Sequence, residues 1–189
     1  MDFKPSIPSY GGQEYPIAIF GEAPGEQEIM EGLPFVGRSG KLLFSTIEEF
    51  GCRRDMFYVS NIFWERPPMN RVDWFFTSKP ETNFKLRNGY LKRKHLHHME
   101  RLEREVSSHG IRFVLLVGAT AVWGFTGWEK FSITEIVGEI IETKFEGTYG
   151  MPIFHPSYVL RKRGGPVEKK FRDLLKIFYT ICLDTINPS

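Results

Sequence analysis

The sequence predicts an α/β fold: a three-layer α/β/α sandwich around a central, mainly parallel four-stranded sheet. Three observations lead there. Short β-branched and aromatic runs near 15–20, 56–63, 112–118 and 151–154 have the make-up of strands buried on both faces. Stretches with helical periodicity separate them, and parallel strands need crossovers of that kind. The length, 189 residues with 41% hydrophobic content, suits one good core, so a single domain over 1–189 is expected.

Residues 1–14, with Pro5, Pro8, Gly11 and Gly12, read as an extended lead-in. Tyr15-Pro16-Ile17-Ala18-Ile19-Phe20 is the first strand, followed by a loop rich in glycine and proline. Leu43, Ile47 and Phe50 recur at helical spacing, with Ser39 placed to cap a helix near 40–50 and Gly51 to stop it. A second strand runs from Met56 to Phe63 and ends at Arg66-Pro67-Pro68-Met69-Asn70-Arg71. The aromatic segment 72–91 shows no clean period and reads as a long loop or lid. A helix is expected from about Leu91 to Ser108, stopped by His109-Gly110. Arg112 to Gly118 is the strongest strand signal, and Ala119-Thr120-Ala121-Val122 opens another helix. A short helical piece and a weak strand at 139–143 follow. Met151-Pro152-Ile153-Phe154 is the last strand, leading into a loop over 155–161. The final helix places Phe171, Leu174, Leu175, Phe178, Ile181 and Cys182 on one face behind Pro166, a natural first-turn proline.

Composition narrows the function. A formal net charge of +2 does not by itself announce a polyanionic partner, but the basic residues are gathered in Lys92-Arg93-Lys94, near His95, His97 and His98, and in Arg161-Lys162-Arg163. Such groups grip a phosphate backbone or simply solvate a helix face. The 15% aromatic share leaves rings available to stack on bases. The 2 cysteines, Cys52 and Cys182, form no CxxC pair, which argues against a zinc site or disulfide framework and fits a reducing compartment. No leader or membrane-spanning run is evident, so a cytoplasmic, nucleoid-associated protein of a bacterium or phage is expected, with no membrane partner.

Three polar elements follow three strands: the loop carrying Glu22, Glu26 and Glu28; Asn61; and His155. Right-handed crossovers bring such strand ends to one edge of a sheet, where ligands bind. Glycines at 21, 25, 37 and 40 let backbone approach a ligand closely. An amide offers donor and acceptor to a base edge, a ring at Phe35 stacks on its face, and an imidazole can donate to an oxygen gaining charge. The set suits a planar heterocycle.

In order along the chain, Gly21-Glu22-Ala23-Pro24-Gly25 with Pro34-Phe35-Val36-Gly37-Arg38, Tyr58-Val59-Ser60-Asn61 with Arg66-Pro67-Pro68, Val117-Gly118-Ala119-Thr120-Ala121, and His155-Pro156-Ser157-Tyr158-Val159-Leu160-Arg161 resemble the uracil-DNA glycosylase superfamily. The branch most similar is family four, the thermophilic type. The resemblance covers most of the chain and implies a monofunctional DNA glycosylase that flips out a pyrimidine and hydrolyses its N-glycosidic bond. It implies that Glu22, or failing it Glu26, holds the water, and that His155 stabilises the departing base. Ala23, Gly25, Phe35 and Asn61 would bind the base. Arg38, Ser157, Tyr158, Leu160, Arg161, Lys162 and Arg163 would meet DNA, with Tyr158, Val159 and Leu160 supplying a wedge unless Val159 and Leu160 are core.

The sequence also departs from that family. Family-four members usually hold an iron–sulfur cluster on four cysteines, whereas Glu65 stands where a cysteine follows the Asn strand, so no cluster, and no other cofactor, is expected. Packing by 72–91 would replace its stapling. Residues 66–91 contain no His, unlike the DNA-crosslinking branch, so covalent trapping is not expected. Gly25 stands where family-one enzymes carry a Tyr that blocks the pyrimidine C5 position. A glycine there does not exclude a C5 substituent, so a hydroxymethylated or glucosylated phage pyrimidine is admitted around Trp64, Glu65 and Trp74 as the variant, while uracil leads as substrate because Phe35 and Asn61 are retained, for repair or antiphage defence. A monomer acting on such DNA is the expectation. The alternative from another class is a non-catalytic DNA-binding or polymerase-accessory module. An unrelated nucleotide-binding protein lacks a P-loop or GxGxxG to support it.

Overall fold

Strand β2, Ile17–Gly21, shows how the molecule is layered. Ile17 and Ile19 point into one apolar cluster and Ala18 and Phe20 into another, all of them fully buried. A strand covered on both faces needs no polar alternation, which is why this run is apolar throughout. The structure, a computed structural model, describes residues 9–11 and 16–186.

The central sheet has the order β1-β3-β2-β7-β9-β8, with β1 at Tyr10–Gly11, β3 at Tyr58–Asn61, β7 at Phe113–Val117, β8 at Ile141–Glu142 and β9 at Tyr149–Ile153. The four inner strands β3, β2, β7 and β9 run parallel, as expected. The two edge strands pair antiparallel and extend the sheet beyond the expected four. Most of the predicted 1–14 lead-in lies outside the described residues; within it, Tyr10 and Gly11 pair with Val59 and Tyr58.

One face carries α2 (Arg38–Glu49), α6 (Pro156–Arg161) and α7 (Pro166–Ile186), packed through Leu43, Ile47, Val159, Phe171, Leu175 and Phe178. The other carries α3 (His97–Ser108) and α4 (Ala119–Thr126), packed through Met99, Leu102, Val122 and Trp123. Two short helices complete the set: α1 at Glu26–Glu31 and α5 at Ile133–Ile136. No helix among the described residues is long and apolar enough to cross a membrane.

The structure differs from expectation in four places. The N-cap of α2 is Gly37, and Ser39 lies inside the helix, because the turn that places Phe35 must end before the helix begins. The helix expected from Leu91 starts at His97; Leu91 ends a short strand, β6 (Gly89–Leu91). Residues 155–161 form a helix opened by Pro156, not a loop. Segment 72–91 is no lid. It holds a 3-10 turn at Val72–Phe75 and an antiparallel sheet of β4 (Phe76–Thr77), β5 (Lys85–Leu86) and β6 (Gly89–Leu91). Phe75 stacks on Phe63 at 3.8 Å between centroids, and Phe76 meets Trp123 edge-on at 5.3 Å. These rings fasten the small sheet onto the α4 layer.

Candidate active site

Parallel pairing of β3, β2 and β9 through β7 brings their carboxyl ends to one edge, and a cavity of about 430 Å³ opens there. It is lined by Glu22, Ala23, Gly25, Glu26, Phe35, Arg38, Asn61, His155 and Ser157, together with neighbours on the 24–40 loop and Pro67 and Asn70. Every expected catalytic and base-binding residue thus meets in one place. Tyr158, Leu160, Arg161, Lys162 and Arg163 do not line it. They lie on α6 or just beyond it, and Arg161 to Arg163 are exposed.

Gly21, the last residue of β2, shows how tight the floor is. A Cβ there would lie 2.5 Å from Phe35 Cζ and 2.6 Å from Asn61 Oδ1, so ring and amide converge on one bare Cα. Phe35 has φ +56, a conformation a bulky residue rarely takes, and two clamps hold it. Glu28 accepts hydrogen bonds from the backbone N–H of Gly25 (3.1 Å), Val36 (3.1 Å) and Gly37 (2.7 Å). Arg54 donates to the carbonyls of Phe35 (3.3 Å) and Pro34, its guanidinium 4.2 Å from the Phe44 ring centroid. A Cβ on Gly25 would stand 2.7 Å from Glu28 Oε2, so glycine at 25 serves this clamp.

Asn61 is buried at the end of β3. Arg101, reaching across from α3, donates to the carbonyls of Asn61 (2.5 Å) and Ile62 (2.8 Å), to Ser60 Oγ (3.1 Å) and to Glu105 (2.5 Å). The strand end that carries the amide is therefore pinned from behind.

His155 is the N-cap of α6, and its Nδ1 accepts the Ser157 N–H at 3.2 Å. A nitrogen that accepts carries the lone pair, so in the neutral ring the proton sits on Nε2. Burial, and then the charge of Arg161, lower its pKa to about 4. At neutral pH the residue is thus an uncharged N–H donor at the cavity wall.

Glu22 accepts a hydrogen bond from Thr120 Oγ1 at 2.5 Å. Burial raises its pKa above the ordinary value, opposed by that hydrogen bond and by the charge of Arg87. Glu26 is different: its side chain is 72% exposed and lies 3.7 Å from Arg66. The inner carboxylate is fixed and desolvated, whereas the outer one is a solvated rim group.

Three expectations near the site change. Val159 is 1% exposed and belongs to the core, so it supplies no wedge; Tyr158 and Leu160 are half-buried. Trp64, Glu65 and Trp74 do not line the cavity, since they pack under α3 and the small sheet instead. Lys92 and Lys94 lie over the Trp74 ring and Arg93 bonds Glu81, away from the cavity. The sequence alone assigns no role to Thr120, Glu28, Arg54 and Arg101, which the structure places in support of the site. Two of them carry a local signal: Glu28 stands three residues after the helix-capping Gly25, and Thr120 lies inside the 117–121 motif.

A four-thiolate cluster does not fit this chain. Cys52 and Cys182, its 2 cysteines, are buried against each other in the core beneath α7. The Cys52 contact and burial push the Cys182 thiol up.

The family model described as the Uracil DNA glycosylase superfamily matches residues 8–179. A Type-4 uracil-DNA glycosylase of Thermotoga maritima is 35% identical over 159 residues, covering 84% of this chain and 73% of that protein. Matches to proteins of the same name are more local. That of Archaeoglobus fulgidus is 43% identical over 65 residues, 34% of this chain and 33% of its own. That of Saccharolobus solfataricus is 45% identical over 69 residues, 36% of this chain and 32% of its own.

Proposed function

This chain belongs to the uracil-DNA glycosylase superfamily, and from that premise we propose that it excises uracil from DNA as a single-domain, monomeric, monofunctional glycosylase. The observation that carries the reading is the convergence of Glu22, Phe35, Asn61 and His155 on one cavity. An extruded uracil would stack on Phe35 and present its pairing edge to the Asn61 amide, near the backbone of Ala23 and Gly25. Glu22 holds a water against C1′ of the sugar and takes its proton as the water oxygen bonds to that carbon. The N1–C1′ bond breaks, its electron pair leaves with the base, and the His155 Nε2–H bonds the oxygen on which the negative charge gathers. A neutral donor is well suited here, because it stabilises the anion without itself needing to be charged in a desolvated site. Arg38 and Ser157 at the rim, with Tyr158, Leu160, Arg161, Lys162 and Arg163, would hold the flanking strand, Leu160 or Tyr158 filling the gap left by the base. No cavity-lining lysine offers the amine nucleophile that lyase chemistry needs.

A C5-extended pyrimidine, as in modified phage genomes, is the second reading, and the absence of a side chain at Gly25 favours it. One experiment addresses both. Duplexes with a single uracil, 5-hydroxymethylcytosine or its glucosylated form are incubated with the protein, the released base is identified by mass spectrometry, and the DNA is treated with alkali. Free uracil and an alkali-labile site are expected. Release of only the modified base would replace the first reading by the second, and no alkali-labile site on any duplex would overturn both.

A further inference from the structure

Beyond the end of the Asn61 strand, outside the lining of the cavity, Glu65 meets the first two residues of α3. Glu65, His97 and His98 each bring one ligand-capable atom within 4.8 Å of the others. His97 Nε2 lies 3.6 Å from Glu65 Oε1. Its Nδ1 lies 3.1 Å from the Lys94 carbonyl, which can only accept, so Nδ1 carries the proton. The Nε2 lone pair of the neutral ring therefore faces a carboxylate, and two acceptors at that distance need either a proton or a metal ion between them. An imidazole oriented by a backbone carbonyl at one nitrogen is also how metal-ligating histidines are held. His98 is fully buried, and its Nδ1 accepts the Trp64 N–H at 3.4 Å, the long limit of such a bond, so binding an ion through this ring means giving up that contact. Phe63 and Phe75 meet its ring edge-on, so the floor of the cluster is apolar. The Glu65 side chain is 14% exposed and that of His97 50%, which gives a closed base and an open top for water. The nearby Arg101 charge is matched by Glu105 at 2.5 Å.

We propose that Glu65, His97 and His98 bind one divalent transition-metal ion, with zinc the best match to two imidazoles, a carboxylate and a water. All-oxygen cations such as magnesium do not match the donor set. Zinc bonds of about 2.0–2.2 Å require the ligand atoms to draw somewhat closer than they stand, which the half-exposed His97 ring can supply. Bound there, the ion ties the segment leaving β3 to the start of α3, the helix whose Arg101 pins Asn61. The site is structural and takes no part in the excision chemistry.

The full chain, stripped with chelator, is titrated with zinc and with magnesium by calorimetry, and its melting temperature is followed. Cobalt is added separately to read the visible absorption of a tetrahedral site. One zinc per chain is expected, with a raised melting temperature, a cobalt spectrum and no response to magnesium. His97→Ala, at a half-exposed position, and the isosteric Glu65→Gln should each weaken zinc by at least about tenfold while circular dichroism stays native. Cys182→Ser should bind as the parent does. No saturable zinc binding would mean that a proton bridges His97 and Glu65 and would overturn the proposal, as would zinc binding unchanged in both variants.

Discussion

His155 and Glu22 carry opposite perturbations with the same cause, since burial disfavours the charged form of each. For His155 the folded pKa, about 4, lies below the ordinary 6.5, so between those values the unfolded chain binds a proton that the folded chain refuses. Stability is full above the upper value and falls as pH drops through the window, by roughly 3 kcal/mol for this residue. Urea midpoints of the parent and His155→Asn, measured from pH 7 to pH 4, should differ in slope by that amount. Equal slopes would show that the imidazole is not buried as described. Glu22 must be ionised to take a proton from water, so the acid limb of the excision rate should sit above the ordinary carboxylate range. Thr120→Val removes the hydrogen bond that opposes the shift, and it should move that limb to still higher pH. A pH–rate profile of the two proteins decides it.

Among the elements, the 24–40 loop depends on one side chain more than any other, because Glu28 accepts three backbone N–H groups. Glu28→Ala should cost about 1–3 kcal/mol in denaturant stability. It should also raise KM for a flipped base more than any surface substitution on α1, since Phe35 is then no longer held at its positive φ. Helix α6 makes a cleaner comparison. Val159→Ala, in the core, should lower stability by on the order of 1–3 kcal/mol. Leu160→Ala should leave stability nearly unchanged and slow excision from duplex more than from single strands, because only a duplex needs its gap filled. Strands β2, β3, β7 and β9 were legible because burial on both faces writes continuous apolar runs. Segment 72–91 was not legible, because strands of two or three residues are too short to show a period. Their pairing of Phe76 with Leu91 is fixed instead by rings stacked on distant elements.

For the molecule as a whole, function rests on bringing sequence-distant strand ends to one sheet edge, with cationic charge beside it. Glu22, Asn61 and His155 could be read from the sequence because each sits next to its own strand. Their supports could not: Thr120 is 98 residues from Glu22 and Arg101 is 40 from Asn61, and although Thr120 lies in the 117–121 motif, nothing local ties either residue to its partner. The same distinction separates the two basic clusters. Arg161 to Arg163 are exposed at the end of α6 and just beyond it, Arg161 near the Tyr158 ring, whereas Lys92 and Lys94 are folded over Trp74. Replacing Arg161, Lys162 and Arg163 by alanine should flatten the salt dependence of DNA binding by up to about three phosphate contacts. Replacing Lys92 and Lys94 should leave that slope unchanged in a titration from low to moderate salt. The central claim is that a neutral imidazole at 155, facing Glu22, Phe35 and Asn61, drives departure of the base. Single-turnover excision from a duplex with one uracil tests it most directly. His155→Ala should bind that duplex as the parent does yet release uracil about 10²–10³-fold more slowly, as loss of one preorganised donor predicts. Release at the parental rate would contradict the account.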